Sequence, residues 1–425
     1  MTSPPIVYDI LRLFLSAAAR TPRGIDRVDI GYARHLFETW PGECVGVLPT
    51  PWGMRLYDRA RVMRGLDRIE VLWNERNGGP AGPGGALPRL LNLLAATGFS
   101  FGRPARDAAP RNALYLNIGQ LGWAVGWTLR WLRHRPDIRP VFMLHDLIPL
   151  EHPSLVSRLG LWSYRQMFRG VERHASGLIL TTQAAGETVL REWRARGRPS
   201  VPTLTLKLPV APVFLESAFL ETPAADRAPD PEAACTFVMC GAIDPRKNHR
   251  MMLEVWRDLL AARGPAAPRL VVVGSPARGG KPILAALRDC GPLAAHVTVR
   301  TGLPSPALRR LMIQARAVLM PSLAEGYGLP IAEALTLGTP VLASDLPAHR
   351  EVGGEAATYL PATDTAAWVR AISRLADAPP DPAVRARIAQ YRPVLASQYF
   401  ASVTPFLQSF GQRGTGSDAN ARLKR

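Results

Sequence analysis

The sequence predicts an α/β protein built of two doubly wound, Rossmann-like domains that face one another across a cleft. Three observations carry that prediction. At 425 residues and 47% hydrophobic content, the chain is too long for one ordinary core and has enough apolar material for two domains of about 200 residues. Short apolar runs such as Val141-Phe-Met-Leu144, Leu270-Val-Val-Val273 and Val341-Leu-Ala-Ser344 alternate with helical patterns, as parallel strands do with their crossover helices. A stretch rich in Pro, Ala and Asp, ending at Glu232, separates two such series. The chain divides accordingly into a first domain at 1–212, a linker at 213–232, a second domain at 233–392, a last helix at 393–412 and a frayed tail at 413–425.

The second domain opens with Thr236-Phe-Val-Met239 and runs straight into the loop Gly241-Ala-Ile-Asp244-Pro-Arg246-Lys247-Asn248-His249. Its most informative stretch is Pro321-Ser-Leu-Ala-Glu325-Gly-Tyr-Gly-Leu-Pro330-Ile-Ala-Glu333, which reads as a strand end, a tight loop and a short helix. Gly326 and Gly328 free the loop to turn, and Pro330 suits the first turn of a helix. A helix N-terminus therefore points at the loop, and the amides of Gly326, Tyr327, Gly328 and Leu329 make a cradle for a diphosphate. Glutamates are poor phosphate ligands, so Glu325 and Glu333 are expected to meet neutral hydroxyls, as on a ribose and a sugar. That combination describes a nucleotide-sugar pocket.

The Glu325-x7-Glu333 pair, the Glu-Gly-Tyr-Gly-Leu-Pro loop and the Gly241–Asn248 loop resemble retaining glycosyltransferases of family 4, of the GT-B fold. The likeness is densest from about Cys235 to Pro361. It implies catalytic roles for Glu325, Lys247, Arg246 and His145, with donor contacts from Glu333, Gly326, Tyr327, Gly328, Leu329, Gly274 and Gly24. Lys247 matches the family lysine that binds the donor diphosphate. The family's frequent arginine after the loop glycine is replaced by Ala242, leaving Arg246 either to substitute or to face solvent. Breaking the bond to a nucleoside diphosphate builds negative charge on the leaving phosphate, which is the chemistry that fixed cations serve. The resemblance further implies retention by attack on the face of departure, where positioning carries most of the rate. It also implies a last helix that returns to the first domain.

In the first domain, Gly24 precedes a helical pattern with Val28, Tyr32 and Leu36 on one face. It resembles the family's glycine loop, although one glycine stands where two are common and a plain turn accounts for it equally. The run Gly78-Gly-Pro-Ala-Gly-Pro-Gly-Gly85 is a breaker, and the Leu-rich segment after it rests on a membrane surface, caps the acceptor site or packs as an insertion. Trp123, Trp127 and Trp131 recur at helical spacing, which favours core over a sugar platform. His145 and Asp146 leave the end of the strand Val141–Leu144, where open α/β sheets place ligand-contacting groups. His145 resembles the histidine that the family holds near the transferred sugar.

The formal net charge is +18, with 28 basic against 16 acidic residues in 1–212 and 24 against 18 in 213–425. That bias fits an anionic partner, whether lipid headgroups, a lipid diphosphate or nucleic acid; a solvated basic face is the plain alternative. The four cysteines lack zinc-type spacing and read as free thiols in a reducing cytoplasm. The N-terminal run is broken by Asp9 and Arg12 and is not expected to be a signal peptide. No eighteen uncharged apolar residues run together. No Asp-x-Asp occurs, so no metal and no cofactor are expected beyond a nucleotide-sugar donor, with GDP-mannose first because the Asp-Pro-Arg-Lys-Asn-His loop looks most like mannosyltransferase-type members. The resulting expectation is a cytoplasmic enzyme, peripheral at the inner face of the membrane, moving a hexose to a glycan or polyprenyl-diphosphate-linked acceptor in surface or exopolysaccharide synthesis. No nucleic acid is expected as its substrate. The competing readings are a non-catalytic basic membrane- or nucleic-acid-binding protein on the same scaffold, and a sugar-nucleotide epimerase.

Overall fold

The computed structural model describes residues 3–412 apart from 18–21, most of 75–101, 121–127, 216–234, 278 and 379. Two sheets stand in series. The first contains β1 (Ile6–Asp9), β2 (Cys44–Thr50), β3 (Gly53–Tyr57), β4 (Arg103–Pro104), β5 (Leu114–Asn117), β6 (Arg139–Leu144), β7 (Gly177–Leu180) and β8 (Thr203–Thr205), in the order β4-β3-β2-β1-β5-β6-β7-β8. From β2 through β8 neighbours pair in parallel, and β3 and β4 add an antiparallel edge. That edge falls at the start of a stretch, 53–76, in which arginines alternate with apolar residues. Gly53, at φ +100°, closes a two-residue hairpin with Thr50, after which the helix Arg59–Asn74 begins.

The second sheet holds β9 (Thr236–Cys240), β10 (Arg269–Val273), β11 (Val297–Arg300), β12 (Ala317–Met320), β13 (Val341–Ser344) and β14 (Thr358–Leu360). Its order is β11-β10-β9-β12-β13-β14, and every pairing is parallel. β9, β12 and β13 are buried along their whole length, as their unbroken apolar sequences require of strands covered on both faces. The strand order reverses between β9 and β12, and in open sheets ligands bind beyond the carboxyl ends of the strands at such a point. The loops that leave β9 and β12 are the two that carry the glutamates and the basic pair.

The helix Ala396–Gln412 returns to the first domain. Tyr399 and Tyr32 share a hydroxyl hydrogen bond of 2.6 Å, and Phe400 stacks on His35 with ring centroids 3.9 Å apart. Farther along, a side chain at Gly177 would collide with Phe410 at 2.5 Å. Phe214, inside the expected linker, is buried, so packing runs slightly past residue 212. Among the tryptophans at helical spacing, Trp131 is buried, as a core reading expects, while Trp123 and Trp127 lie outside the described residues.

Candidate active site

Asp244 leads into a short 3-10 turn, Pro245–Lys247, and Asn248 ends it at φ +61°, a left-handed conformation that Asn tolerates better than most residues. The Asn248 amide nitrogen donates to the Ala362 carbonyl at 2.8 Å, fixing the start of the helix His249–Arg263. The loop after β12 is tied to this turn through the backbone, with Leu323 N donating to Arg246 O at 2.7 Å. The basic pair therefore reaches the first glutamate. Arg246 Nη1 lies 3.0 Å from Glu325 Oε1, Lys247 Nζ bonds Glu325 Oε2, and Ser322 Oγ donates to the same oxygen at 3.2 Å. Burial alone raises the Glu325 pKa, but Lys247 and Arg246 outweigh it and hold the carboxyl well below the usual range. Burial likewise works against the Arg246 charge, and Glu325, Asp244 and Asp146 more than offset it.

Glu333 is 1% exposed on the helix Leu329–Thr336 and accepts from Arg27 Nη1 of the first domain at 2.6 Å. Its Oε2 and the Nε of Arg27 are buried without a partner. Burial raises the Glu333 pKa and Arg27 pulls it back. Arg27 also lies over the Phe214 ring, 5.6 Å from its centroid. Sequence reasoning assigned Arg27 no role. The signal was a cation in the first turns of a helix, where the dipole disfavours it unless an acid stands opposite.

The site's glycines are required for two reasons, conformation and close approach. Gly328, at φ +96°, is the conformational one and caps the helix that follows. Gly326 is required by closeness instead, since a Cβ there would lie 2.4 Å from the carbonyl oxygen of His145. Gly24 meets Leu329 across the cleft, its added Cβ falling 2.9 Å from the leucine Cδ1. A side chain at Gly274 would strike the Gly241 carbonyl oxygen at 1.8 Å, so this glycine serves the contact between two strand-end loops. Tyr327 is buried and donates to Leu208 O at 2.9 Å, which leaves the cleft only its backbone.

His145 stands in the cleft wall but its ring turns inward. Nε2 lies 2.9 Å from Ile118 O, and burial, helped by the nearby Arg12 charge, pushes its pKa down to about 4. The imidazole is thus neutral at pH 7. The carbonyl side of this loop faces the second domain, Asp146 being packed on Gly326 and electrostatically linked to Arg246. Two further contacts close the domains: Thr182 Oγ1 donates to Gly326 O at 3.2 Å, and the Glu351 carboxylate accepts from Gln183 N at 2.8 and 2.9 Å and from Ala184 N at 3.3 Å. A separate hollow of about 570 Å³, lined by Trp40, Cys44, Asp58, Arg59 and Arg103 among others, lies at the entry to β2, the opposite end of the sheet from the cleft. Among the described residues no group of three or more His, Cys, Asp and Glu could hold a metal ion. All four cysteines are free.

Two doubly wound domains, closed on each other with an acidic and a basic loop at the switch point, define a GT-B architecture. Residues 234–378, in the second domain, match the model of the family described as glycosyl transferases group 1, and the two domains together have the GT-B fold. The serotype-specific mannosyltransferase WbdA of Escherichia coli is 27% identical over 232 residues, which are 51% of this chain and 27% of WbdA. The phosphatidyl-myo-inositol mannosyltransferase of Mycobacterium leprae is 27% identical over 248 residues, 54% of this chain and 64% of that protein. The chain thus spans about a quarter of the WbdA relatives it matches. Among solved structures, Anabaena HepE in complex with UDP-glucose superposes with a TM-score of 0.58 at 16% identity, over 96% of this chain and 98% of that one.

Proposed function

We propose that this protein is a retaining glycosyltransferase that moves a hexose, mannose first, from a nucleotide sugar to a glycan or lipid-linked glycan acceptor. The observation that carries the reading is the gathering of Lys247 and Arg246 on Glu325, beside the N-terminus of the helix Leu329–Thr336 and at the switch point of the second sheet. Two held cations and the positive end of a helix are what a departing nucleoside diphosphate needs. The likeness to mannosyltransferases that act in O-antigen and phosphatidylinositol glycosylation supports mannose and a surface glycan or glycolipid. GDP-mannose is the first donor on the form of the Asp244–His249 loop. Glu333 is assigned to the donor ribose, and His145, through its loop, to the wall beside the transferred sugar.

The reaction is assigned as metal-independent because the sequence lacks the Asp-x-Asp that bridges a metal to a diphosphate. The protein is placed at the inner face of the membrane, where lipid-linked acceptors are glycosylated. No described helix is long and apolar enough to cross a membrane. The test is a thermal-shift panel of nucleotides and nucleotide sugars, followed by hydrolysis and transfer assays with the hits. Stabilisation by GDP and GDP-mannose with release of mannose supports the reading. No response to any nucleotide sinks it and leaves a non-catalytic binding protein. Interconversion of the nucleotide sugar without release of the sugar points to an epimerase.

A further inference from the structure

The helix Arg158–His174 buries one face and leaves the other bare. Ser163, Met167, Phe168 and Val171 turn into the first domain, while Arg158, Leu159, Trp162, Arg165, Arg169 and Arg173 are exposed at helical spacing. Leu159 is 61% exposed and Trp162 56%, one turn apart on the same side of the helix. The arginines continue the same stripe toward the C-terminus. The only acid in the helix, Glu172, is buried and sits 3.4 Å from Arg196 of a neighbouring helix. Among the described residues none of Arg158, Arg165, Arg169 and Arg173 forms an ion pair; only Arg169 is near enough to Glu172 to feel its charge. Arg133, also exposed, extends the basic patch beside His174 and Arg173.

The apolar end of this stripe is at the cleft. Tyr164, two residues beyond Trp162, donates its hydroxyl to the carbonyl of Asp146, whose side chain packs on Gly326, and accepts from Gln120 Nε2 at 3.0 Å. Leu159 and Trp162 thus lie on the outer side of the helix end whose inner side, through Tyr164, rests on the loop that lines the cleft.

We propose that this face is where the protein lies on an anionic membrane, Leu159 and Trp162 entering the headgroup boundary and the four arginines pairing with lipid phosphates. Tryptophan favours that boundary, and a run of arginines without acidic partners is complementary to a dense layer of negative charge. The inference rests on the glycosyltransferase reading for its purpose, which is to bring a lipid-linked acceptor to the cleft. The Leu-rich segment at 87–103, for which the sequence allowed the same role, lies almost wholly outside the described residues.

The test is co-sedimentation of the full chain with vesicles of mixed phosphatidylglycerol and phosphatidylcholine, beside vesicles of phosphatidylcholine alone. Wild-type protein is expected on the anionic vesicles only, and less so as salt shortens the screening length to about 8 Å at 0.15 M. Leu159→Ala with Trp162→Ala, and separately Arg165→Gln with Arg169→Gln, are each expected to weaken that binding at least about tenfold, an arginine near the surface being worth about fivefold. Unchanged binding in both variants overturns the proposal, as does equal binding of phosphatidylcholine alone. Self-association that Trp162→Ala abolishes, with no vesicle binding, gives the face to a second copy instead and overturns it too. Nucleotide binding without vesicles is expected to be normal in both variants. Its absence in wild-type protein strikes the glycosyltransferase reading and leaves the vesicle result to decide the membrane face by itself.

Discussion

Arg27 and Glu333, 306 positions apart, meet across the domain boundary with Nη1 2.6 Å from Oε1. The carboxylate assigned to the ribose is therefore held by a cation from the opposite domain. Burial pushes the Glu333 pKa up and Arg27 is what draws it back, so without the arginine the group takes up a proton at higher pH. A protonated carboxyl gives up charge-assisted hydrogen bonds worth about 1.5–3 kcal/mol. Arg27→Ala is expected to weaken nucleotide binding at least about tenfold at pH 6 and to recover toward pH 8.5, where wild-type affinity stays flat. Calorimetry across that range decides it. Tighter binding by the variant at every pH makes Arg27 a competitor of the donor and ends this account.

Glu351 places its carboxylate on the first two amides of the helix Gln183–Ala195, capping from the second domain a helix of the first. A charged group at a helix N-terminus is worth about 0.5–2 kcal/mol, and here it acts only while the domains are closed. Glu351→Ala is expected to raise the donor KM by about two- to thirty-fold with little change in kcat, and to enlarge the particle in solution scattering. Unaltered scattering and KM refute a closing role.

These two contacts show where sequence reading stops. The second sheet was legible because β9, β10, β12 and β13 are short apolar runs bounded by glycine and proline. Lys247, Arg246 and Glu325 were named by resemblance, but their pairing was not read, since Glu325 was expected to meet neutral hydroxyls and instead holds the two cations. Arg27, Glu351 and the need for glycine at Gly326 arise only when the two domains close, and no local period marks such pairs. The antiparallel edge β3–β4 was missed because Met54-Arg-Leu56 is too short to alternate convincingly and its partner lies some fifty residues away. Gly274 was read only as a donor contact, and the close approach of the Gly241 carbonyl that also requires a glycine there has no mark in the sequence.

Turnover is expected to persist in EDTA on the proposed assignment of the leaving diphosphate to Lys247, Arg246 and the N-terminus of the helix Leu329–Thr336. Activity lost on chelation and restored by magnesium or manganese refutes this.

Asp29 offers a stability test free of catalysis. It is fully buried, accepts from Tyr8 Oη at 2.6 Å and has no partner for Oδ2; burial pushes its pKa up to about 8. A raised carboxyl pKa means the folded state keeps a proton that the unfolded chain has already released above about pH 4. Stability is therefore lost as pH rises from about 4 through 8 on this account. Asp29→Asn removes the titration, and it is expected to raise Tm at pH 8.5 by at least about 4 °C relative to wild type, with the gap closing by pH 5. Calorimetric scans of both proteins at the two pH values measure the gap. An equal difference at both refutes the assignment.

Lys247 and Arg246 both hold Glu325, yet they are expected to differ in catalysis. The Lys247 ammonium is 7% exposed and lies over Gly241, where a Cβ would sit 3.5 Å from Nζ, so it is fixed at the base of the loop. Arg246 is 24% exposed and divides its guanidinium between Glu325 at 3.0 Å and Asp244 at 3.3 Å. Charge grows on the leaving phosphate as the sugar bond breaks, so a fixed cation gains more in the transition state than in the ground state. Loss of one such preorganised group costs about 10²–10³ in rate. Lys247→Ala is expected to lower kcat by that order while raising donor Kd far less, and Arg246→Ala to have the smaller effect because Asp244 already draws part of its charge. Removing either cation leaves Glu325 with only the other as ion-pair partner, and Lys247→Met, which keeps the volume, is the control for packing. Single-turnover transfer at saturating donor, beside direct binding of the product nucleotide, separates the two steps. Wild-type transfer and normal binding in both alanine variants would make this loop structural and return the catalytic assignment to the residues of the first domain.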